Sequence, residues 1–231
     1  MFESIMRTIT EQKSTILYST GIYSKEETMP KRHHHTESRL NNLSVNADPE
    51  HPVYREAATE IQKRLRYMTE KHSQVFVGHL EFRFPPEMEP QNDNRHISNA
   101  VRKCRMKLKR EGIDAQLVWA REQRNSAQPH YHCYPICDGN KVQHVQRVAG
   151  FFNEIWSREI DASPESNYVR YCPPKEQADN DTGIRIRRHG SDAETQLHNA
   201  SHWMSYAAKV NEKEKTPEGC RMFGFTHIPK A

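Results

Sequence analysis

The chain has 231 residues, 35% hydrophobic and 28% charged, with a net charge of +4 at neutral pH. That length suits one ordinary domain plus an extension, and no apolar run approaches membrane-spanning length, so a membrane-embedded chain is excluded. The N-terminus lacks the apolar stretch of a signal peptide and the five cysteines are irregularly spaced, so reduced thiols, a cytoplasmic location and no membrane partner are expected.

Residues 1–52 are polar with few periodic apolar positions and read as an extension of loop or disorder, leaving 53–231 as the folded domain. "YREAATEIQKRLRYMTEKHS" opens that domain as a helix, with Ala58, Ile61, Leu65 and Met68 at helical spacing. "QVFVGHLEFRF", Gln74 to Phe84, is β-rich and stops at "PPEMEP", which predicts a strand. "DNRHISNAVRKCRMKLKREG" predicts a second helix carrying Ile97, Val101 and Leu108 inward, stopped by Gly112. "DAQLVWAREQ" and "PHYHCYPIC" predict two strands joined by a turn at "RNSAQ". "KVQHVQRVAGFFNEIWSREI" predicts a helix with Val142, Val145, Val148, Phe152 and Trp156 inward. "NYVRYC" is a short strand, "PPKEQADNDTGIRIRRHGSDAE" a long polar loop, and "TQLHNASHWMSYAAKVNEKEK" a last long helix. The order β, α, β, β, α, β predicts an α+β fold: a ferredoxin-like antiparallel sheet followed by an added C-terminal helix.

Residues two apart on a strand share a face, so His130, His132 and Tyr134 project together while Tyr131 and Cys133 project oppositely. A hairpin pivoting at Ser126 puts Glu122 opposite His130. Two imidazoles and a carboxylate then form a three-ligand metal site with open positions. A slip of one residue would substitute Arg121 for Glu122, so the metal reading rests on register, and an isolated His-x-His is more often no ligand pair at all. Cys133, Cys137 and His144 offer an alternative zinc set, but core packing suits the cysteines better.

On the last helix Tyr206 and Lys209 stand three apart, hence on one face, with His202 one turn earlier. Alone, that pattern describes a half-buried tyrosine beside a solvated lysine. Arg102, Lys103, Arg105 and Lys109 line the second helix, and Arg185, Arg187 and Arg188 stand in the long loop. These cations are either a solvated surface or contacts to DNA phosphates, the loop being able to clamp a single strand.

Taken together, a β-rich first strand, a Glu before a His-hydrophobe-His strand and a later Tyr-x-x-Lys helix resemble the HUH endonucleases. Within them, "VWAREQRNSAQPHYHCYPI" and "SYAAKVNEK…RMFGFTHIP" are most similar to inovirus-type replication proteins, which share a domain with the YagK/YfjJ prophage proteins. The resemblance covers about residues 55 to 226 and implies His130 and His132 as metal ligands with Glu122 as the third. It implies Tyr206 as nucleophile and Lys209 as its companion, with His202 replacing the second tyrosine of some initiators. The implied activity is nicking and rejoining of single-stranded or origin DNA with Mn2+ or Mg2+, initiating rolling-circle replication with a host helicase. A transposase or relaxase of the same chemistry, or a DNA-binding regulator without cleavage, are the alternatives.

Overall fold

The computed structural model describes residues 33–123, 126–174, 183–213 and 215–229. Residues 1–32 of the expected extension and 175–182 of the expected loop lie outside the described residues. The elements are β1 (His34–His35), β2 (Arg39–Leu40), β3 (Leu43–Ser44), β4 (Val53–Tyr54), α1 (Arg55–Lys71), β5 (Gln74–Val77), β6 (Leu80–Phe82) and α2 (Arg95–Arg110). They continue as β7 (Ala115–Glu122), β8 (His130–Asp138), α3 (Val145–Glu159), β9 (Val169–Tyr171), β10 (Ile184–Arg187), α4 (Ala193–Ser205) and β11 (Phe223–Phe225).

The main sheet is antiparallel, with β8 at its centre. On one side β8 pairs along its whole length with β7, which β11 borders; on the other it pairs with β5 and β6, which β10 and β9 border. The order β9–β6–β8–β7 and the succession βαββαβ are those of a ferredoxin-like α+β fold, as expected from the sequence. β5 and β6 are one expected strand with an interruption. Register is continuous across it (Val77 faces Ile136 and Leu80 faces Cys133), and the gap lies opposite Pro135. A proline has no amide hydrogen for the ladder, so the local pairing reduces to the Gly78 N–H donating to the Pro135 carbonyl at 3.0 Å.

Strand alternation sorts the core onto two faces. Phe76, Leu80, Phe82, Leu117, Trp119, Tyr131 and Cys133 meet α2 and α3, where Phe82 and Trp156 pack edge to face at 5.3 Å. Val75, Val77, Val118, Ala120, Tyr134 and Ile136 meet α1 and α4. Each large apolar side chain wholly buried this way contributes about 1.5–3 kcal/mol. Gly224 is required by packing: a Cβ there would sit 2.0 Å from Trp119 Nε1, so only glycine lets β11 cross that indole.

Three expectations are corrected. Residues 33–52 of the expected extension are not loop or disorder: they carry short strands laid on α1 and α4 with Leu40, Leu43 and Val45 buried. Sparse apolar residues without a period escape periodicity rules, yet each finds a pocket here. Ile184–Arg187 is a strand rather than loop, because Ile184 and Ile186 alternate into the α1/α4 face. The last helix stops at Ser205, after which Tyr206–Ala208 form one 3-10 turn and Lys209 is extended, bridged to Val53.

Candidate metal centre and tyrosine

The β7–β8 register pairs Glu122 with His130, Arg121 with Tyr131 and Ala120 with His132. Glu122 therefore shares the α1/α4 face with His130 and His132, and Arg121 points the other way. Arg121 is fully buried there, donating to the carbonyls of Gln91 and Asp93 and to the Tyr131 hydroxyl. Glu122 Oε2 lies 3.0 Å from His132 Nε2 and 3.6 Å from His130 Nε2.

A second carboxylate arrives from β6. Glu81 pairs directly with His132 in the ladder, and its Oε1 is 3.9 Å from His130 Nε2. Ligand atoms of Glu81, His130 and His132 lie within 4.8 Å of one another. Among the described residues this is the group arranged to hold a metal ion. Two imidazole nitrogens and carboxylate oxygens are a donor set that fits a divalent cation of the first transition row or magnesium. Glu81 is half of a pair with Arg83 at 2.8 Å; burial opposes its charge, but that hydrogen bond holds its carboxyl below the ordinary value.

Behind the histidines the sheet is polar in an orderly way. His79, in the β5–β6 interruption, places Nε2 2.7 Å from His132 Nδ1 and stacks on Tyr134 at 4.1 Å. Burial pushes His79 well below the usual histidine range, so it is neutral. The hydrogen bond between His132 Nδ1 and His79 holds the imidazole with its Nε2 edge towards the centre. Lys213, from the 3-10 turn Asn211–Lys213, donates to Glu122 Oε1 at 2.9 Å with a side chain 0% exposed. Burial opposes charge on Glu122, but the imidazole hydrogen bonds and the Lys213 ammonium hold it well below the ordinary carboxylate range. Burial lowers Lys213 in turn, and Glu122 offsets this in part.

Tyr206 stands at the rim, 37% exposed, its ring centroid 6.2 Å from that of His132 and nearly perpendicular to it. Lys209 does not share a helix face with it. The Lys209 ammonium donates to the His51 carbonyl at 3.2 Å, and burial lowers its pKa. His202 is exposed on the preceding turn.

The structure does not bring the expected DNA-contacting cations to this centre. Arg102, Lys103, Arg105 and Lys109 ride on α2, which covers the opposite face of the sheet. Lys103 pairs with Glu159 and Arg105 reaches the His227 carbonyl. Arg185 alternates onto the α2/α3 face and donates to the carbonyls of Gly139 and Gln143; Arg188 donates to that of Glu70, and Arg187 is exposed. Cys133 and Cys137 are buried in the α2/α3 core, with burial pushing both thiols well up, so the zinc alternative has no accessible thiolate.

Glu81, His79 and Lys213 were missed from the sequence. Leu80 and Phe82 flank Glu81 as inward residues, which assigns Glu81 to the other face; nothing local says that this strand would lie beside His132. Lys213 in "NEKEK" carries no signal of burial at all.

The fold and site thus define an antiparallel α+β domain with a histidine–carboxylate centre and an adjacent tyrosine. Residues 32–226 match the YagK/YfjJ C-terminal domain, so the chain belongs to that family. No curated protein matches the chain. Among solved structures, the N-terminal nuclease domain of the minute virus of mice non-structural protein 1 is similar over 62% of this chain and 97% of its own, at 13% identity and a TM-score of 0.30. That protein is described with zinc coordination in its active-site pocket and DNA recognition at the origin of replication. Among the described residues, no helix is long and apolar enough to cross a membrane.

Proposed function

We propose that the protein is a strand-specific endonuclease of the HUH type, nicking and rejoining single-stranded origin DNA at the start of rolling-circle replication of a phage or prophage element, as inovirus-type initiators do. The observation that carries this reading is the gathering of Glu81, Glu122, His130 and His132 on one sheet face with the Tyr206 ring 6.2 Å from His132.

A phosphodiester repels nucleophiles through its charge, and Mn2+ or Mg2+ held by His130, His132 and the carboxylates supplies charge neutralisation at the scissile phosphate. The chain's own residues do the rest. Tyr206, at the rim, is the nucleophile: its phenol gives up its proton to solvent, its oxygen bonds to phosphorus as the bond to the 3′ oxygen breaks, and that oxygen takes up a proton, leaving a 5′-phosphotyrosine and a free 3′-hydroxyl. Reversal of the same step rejoins the strand. His79 orients His132, and Lys213 orients Glu122. The strand to be cut passes over the α1/α4 side, so Arg102, Lys103, Arg105 and Lys109 touch only flanking DNA. Arg185, Arg187 and Arg188 are in the same position, at the far end of β8 from the histidines. A host helicase supplies unwinding.

The full chain incubated with single-stranded origin DNA of its own element and Mn2+ gives a denaturation-resistant protein–DNA adduct, which Tyr206→Phe abolishes while Mn2+ binding persists. An adduct that survives Tyr206→Phe refutes the assignment, and salt-dependent DNA binding with no adduct turns the reading to a regulator.

A further inference from the structure

Lys213 is the one wholly buried lysine side chain among the described residues, and orienting Glu122 does not by itself call for a charged group there. A lysine is seldom taken out of water without a partner, because burying an ammonium costs several kcal/mol after relaxation. Its partner is one atom of the centre. Glu122 has two oxygens: Oε1 receives Lys213 at 2.9 Å, while Oε2 faces His132 at 3.0 Å and His130 at 3.6 Å. The ammonium also lies 5.6 Å from the centre of the Phe223 ring, which closes it off on another side. Lys209, the lysine suggested by sequence spacing, is spent instead on the His51 carbonyl.

We infer that Lys213 is a built-in counter-cation of the metal centre: it claims Glu122 Oε1 permanently, leaves Oε2 alone to a divalent ion, and so keeps that ion weakly held and exchangeable. The inference rests on the metal-centre reading given above. Two consequences follow from charge and geometry. Without an ion, Glu122 already has a compensating charge, so the fold does not depend on metal. With an ion bound on the other oxygen of Glu122, the ammonium would stand close enough to weaken its binding by like-charge repulsion.

The test uses the full chain, Mn2+ alone as the probe, calorimetric titration and thermal unfolding at mildly alkaline pH. Lys213→Met lowers the melting temperature of the metal-free protein, binds Mn2+ about tenfold tighter than wild type, and gains more in melting temperature from Mn2+. Lys213→Arg retains wild-type affinity, and Lys209→Met leaves Mn2+ affinity within about twofold, because its ammonium is directed to the His51 carbonyl. A purely packing role for Lys213 lowers stability equally with and without Mn2+ and leaves affinity unchanged; that result, or weaker binding in folded Lys213→Met, overturns the inference. If Lys213→Met does not fold alone, refolding rescued by Mn2+ supports the inference and refolding indifferent to Mn2+ overturns it. Wild type that binds no Mn2+ overturns the metal-centre reading itself. The pairing is then judged apart: Glu122→Gln relieving the instability of Lys213→Met in a metal-free double-mutant cycle supports the counter-charge role, and independent effects overturn it.

Discussion

His79→Leu isolates how much of the metal centre is built behind the ligands. The His79 ring is buried, neutral, 2.7 Å from His132 Nδ1 and stacked on Tyr134. Leucine fills most of the volume but accepts no hydrogen bond, so the His132 Nδ1–H is left buried without an acceptor, at a cost of about 1–3 kcal/mol. Freed of that bond, the imidazole can turn and carry Nε2 out of its place in the centre. Loss of such a supporting partner lowers metal affinity about 10–100-fold. Each factor of ten is about 1.4 kcal/mol, so the hydrogen-bond and affinity figures describe the same loss. Calorimetric titration with Mn2+, with circular dichroism to certify the fold, reads the effect. His79→Gln, which keeps an acceptor, falls between the two. Folded His79→Leu protein with wild-type Mn2+ affinity would refute the reasoning and return His79 to the status of a core aromatic.

Other outcomes follow from the same structure. Lys209→Met loses one ammonium–carbonyl hydrogen bond, so it costs about 1–3 kcal/mol in unfolding free energy and leaves the pH profile of adduct formation unmoved; a moved profile would put Lys209 at the reacting atoms. Replacing Arg102 and Lys109 together by Glu weakens DNA binding and flattens its salt dependence, while single-turnover nicking at saturating DNA is unchanged; a fall in that rate would contradict their place behind the sheet. In native protein a thiol reagent modifies Cys220 and, slowly, Cys172, whose thiol burial pushes up to about 11; Cys104, Cys133 and Cys137 react only on unfolding, and early labelling of Cys133 would show the core to be open. Burial opposes charge on Asp114, but bonds from Lys71 and His72, each 2.8 Å, lower its pKa below 3.8. Because the folded value is the lower one, this stabilisation is fully present above the ordinary aspartate value and is lost as pH falls below it through the folded one; Asp114→Asn removes that acid-side loss from the curve of melting temperature against pH, and an unchanged curve would deny the pairing.

The sequence carried the fold where period and punctuation agree. Ile97, Val101 and Leu108 and the stop at Gly112, which adopts a positive φ of 69°, describe α2 to within a few residues. Alternation placed His130, His132 and Glu122 on one face because every residue of β7 and β8 obeys it without a bulge. What stayed hidden depends on contacts made far along the chain. Glu81 becomes a neighbour of His132 only through the order of strands in the sheet. Lys213 is buried only because its turn folds back onto β7, where Gln123 donates to the Glu212 carbonyl. The helix pattern through Tyr206 and Lys209 failed because pairing of Lys209 with Val53, far back along the chain, outcompetes another helical turn; helix propensity is a weak prior against tertiary hydrogen bonds.

That pairing bears on where the domain begins. Tyr206 sits in a turn fastened on both sides by the segment 33–54. The Asn46 amide donates to Ser205 Oγ at 2.7 Å, Val210 donates to the Pro52 carbonyl at 3.0 Å, and Lys209 reaches His51. Farther back, Ser201 donates to the Ser44 carbonyl and Ser44 meets His198 Nδ1 at 2.9 Å. A chain starting at Val53, the boundary that composition suggests, would lose Leu40, Leu43 and Val45, each at most 5% exposed. Their burial contributes about 4–9 kcal/mol as an upper figure, comparable with the whole stability of an ordinary domain. A chain starting at Arg32, where the family match begins, keeps all of these contacts. We therefore expect cooperative unfolding from residues 32–231 and a loose or insoluble product from 53–231, read by thermal melting and near-ultraviolet circular dichroism. Equal melting temperatures for the two chains would mean that α4 holds the tyrosine turn unaided, and that the strap contributes nothing to the position of Tyr206.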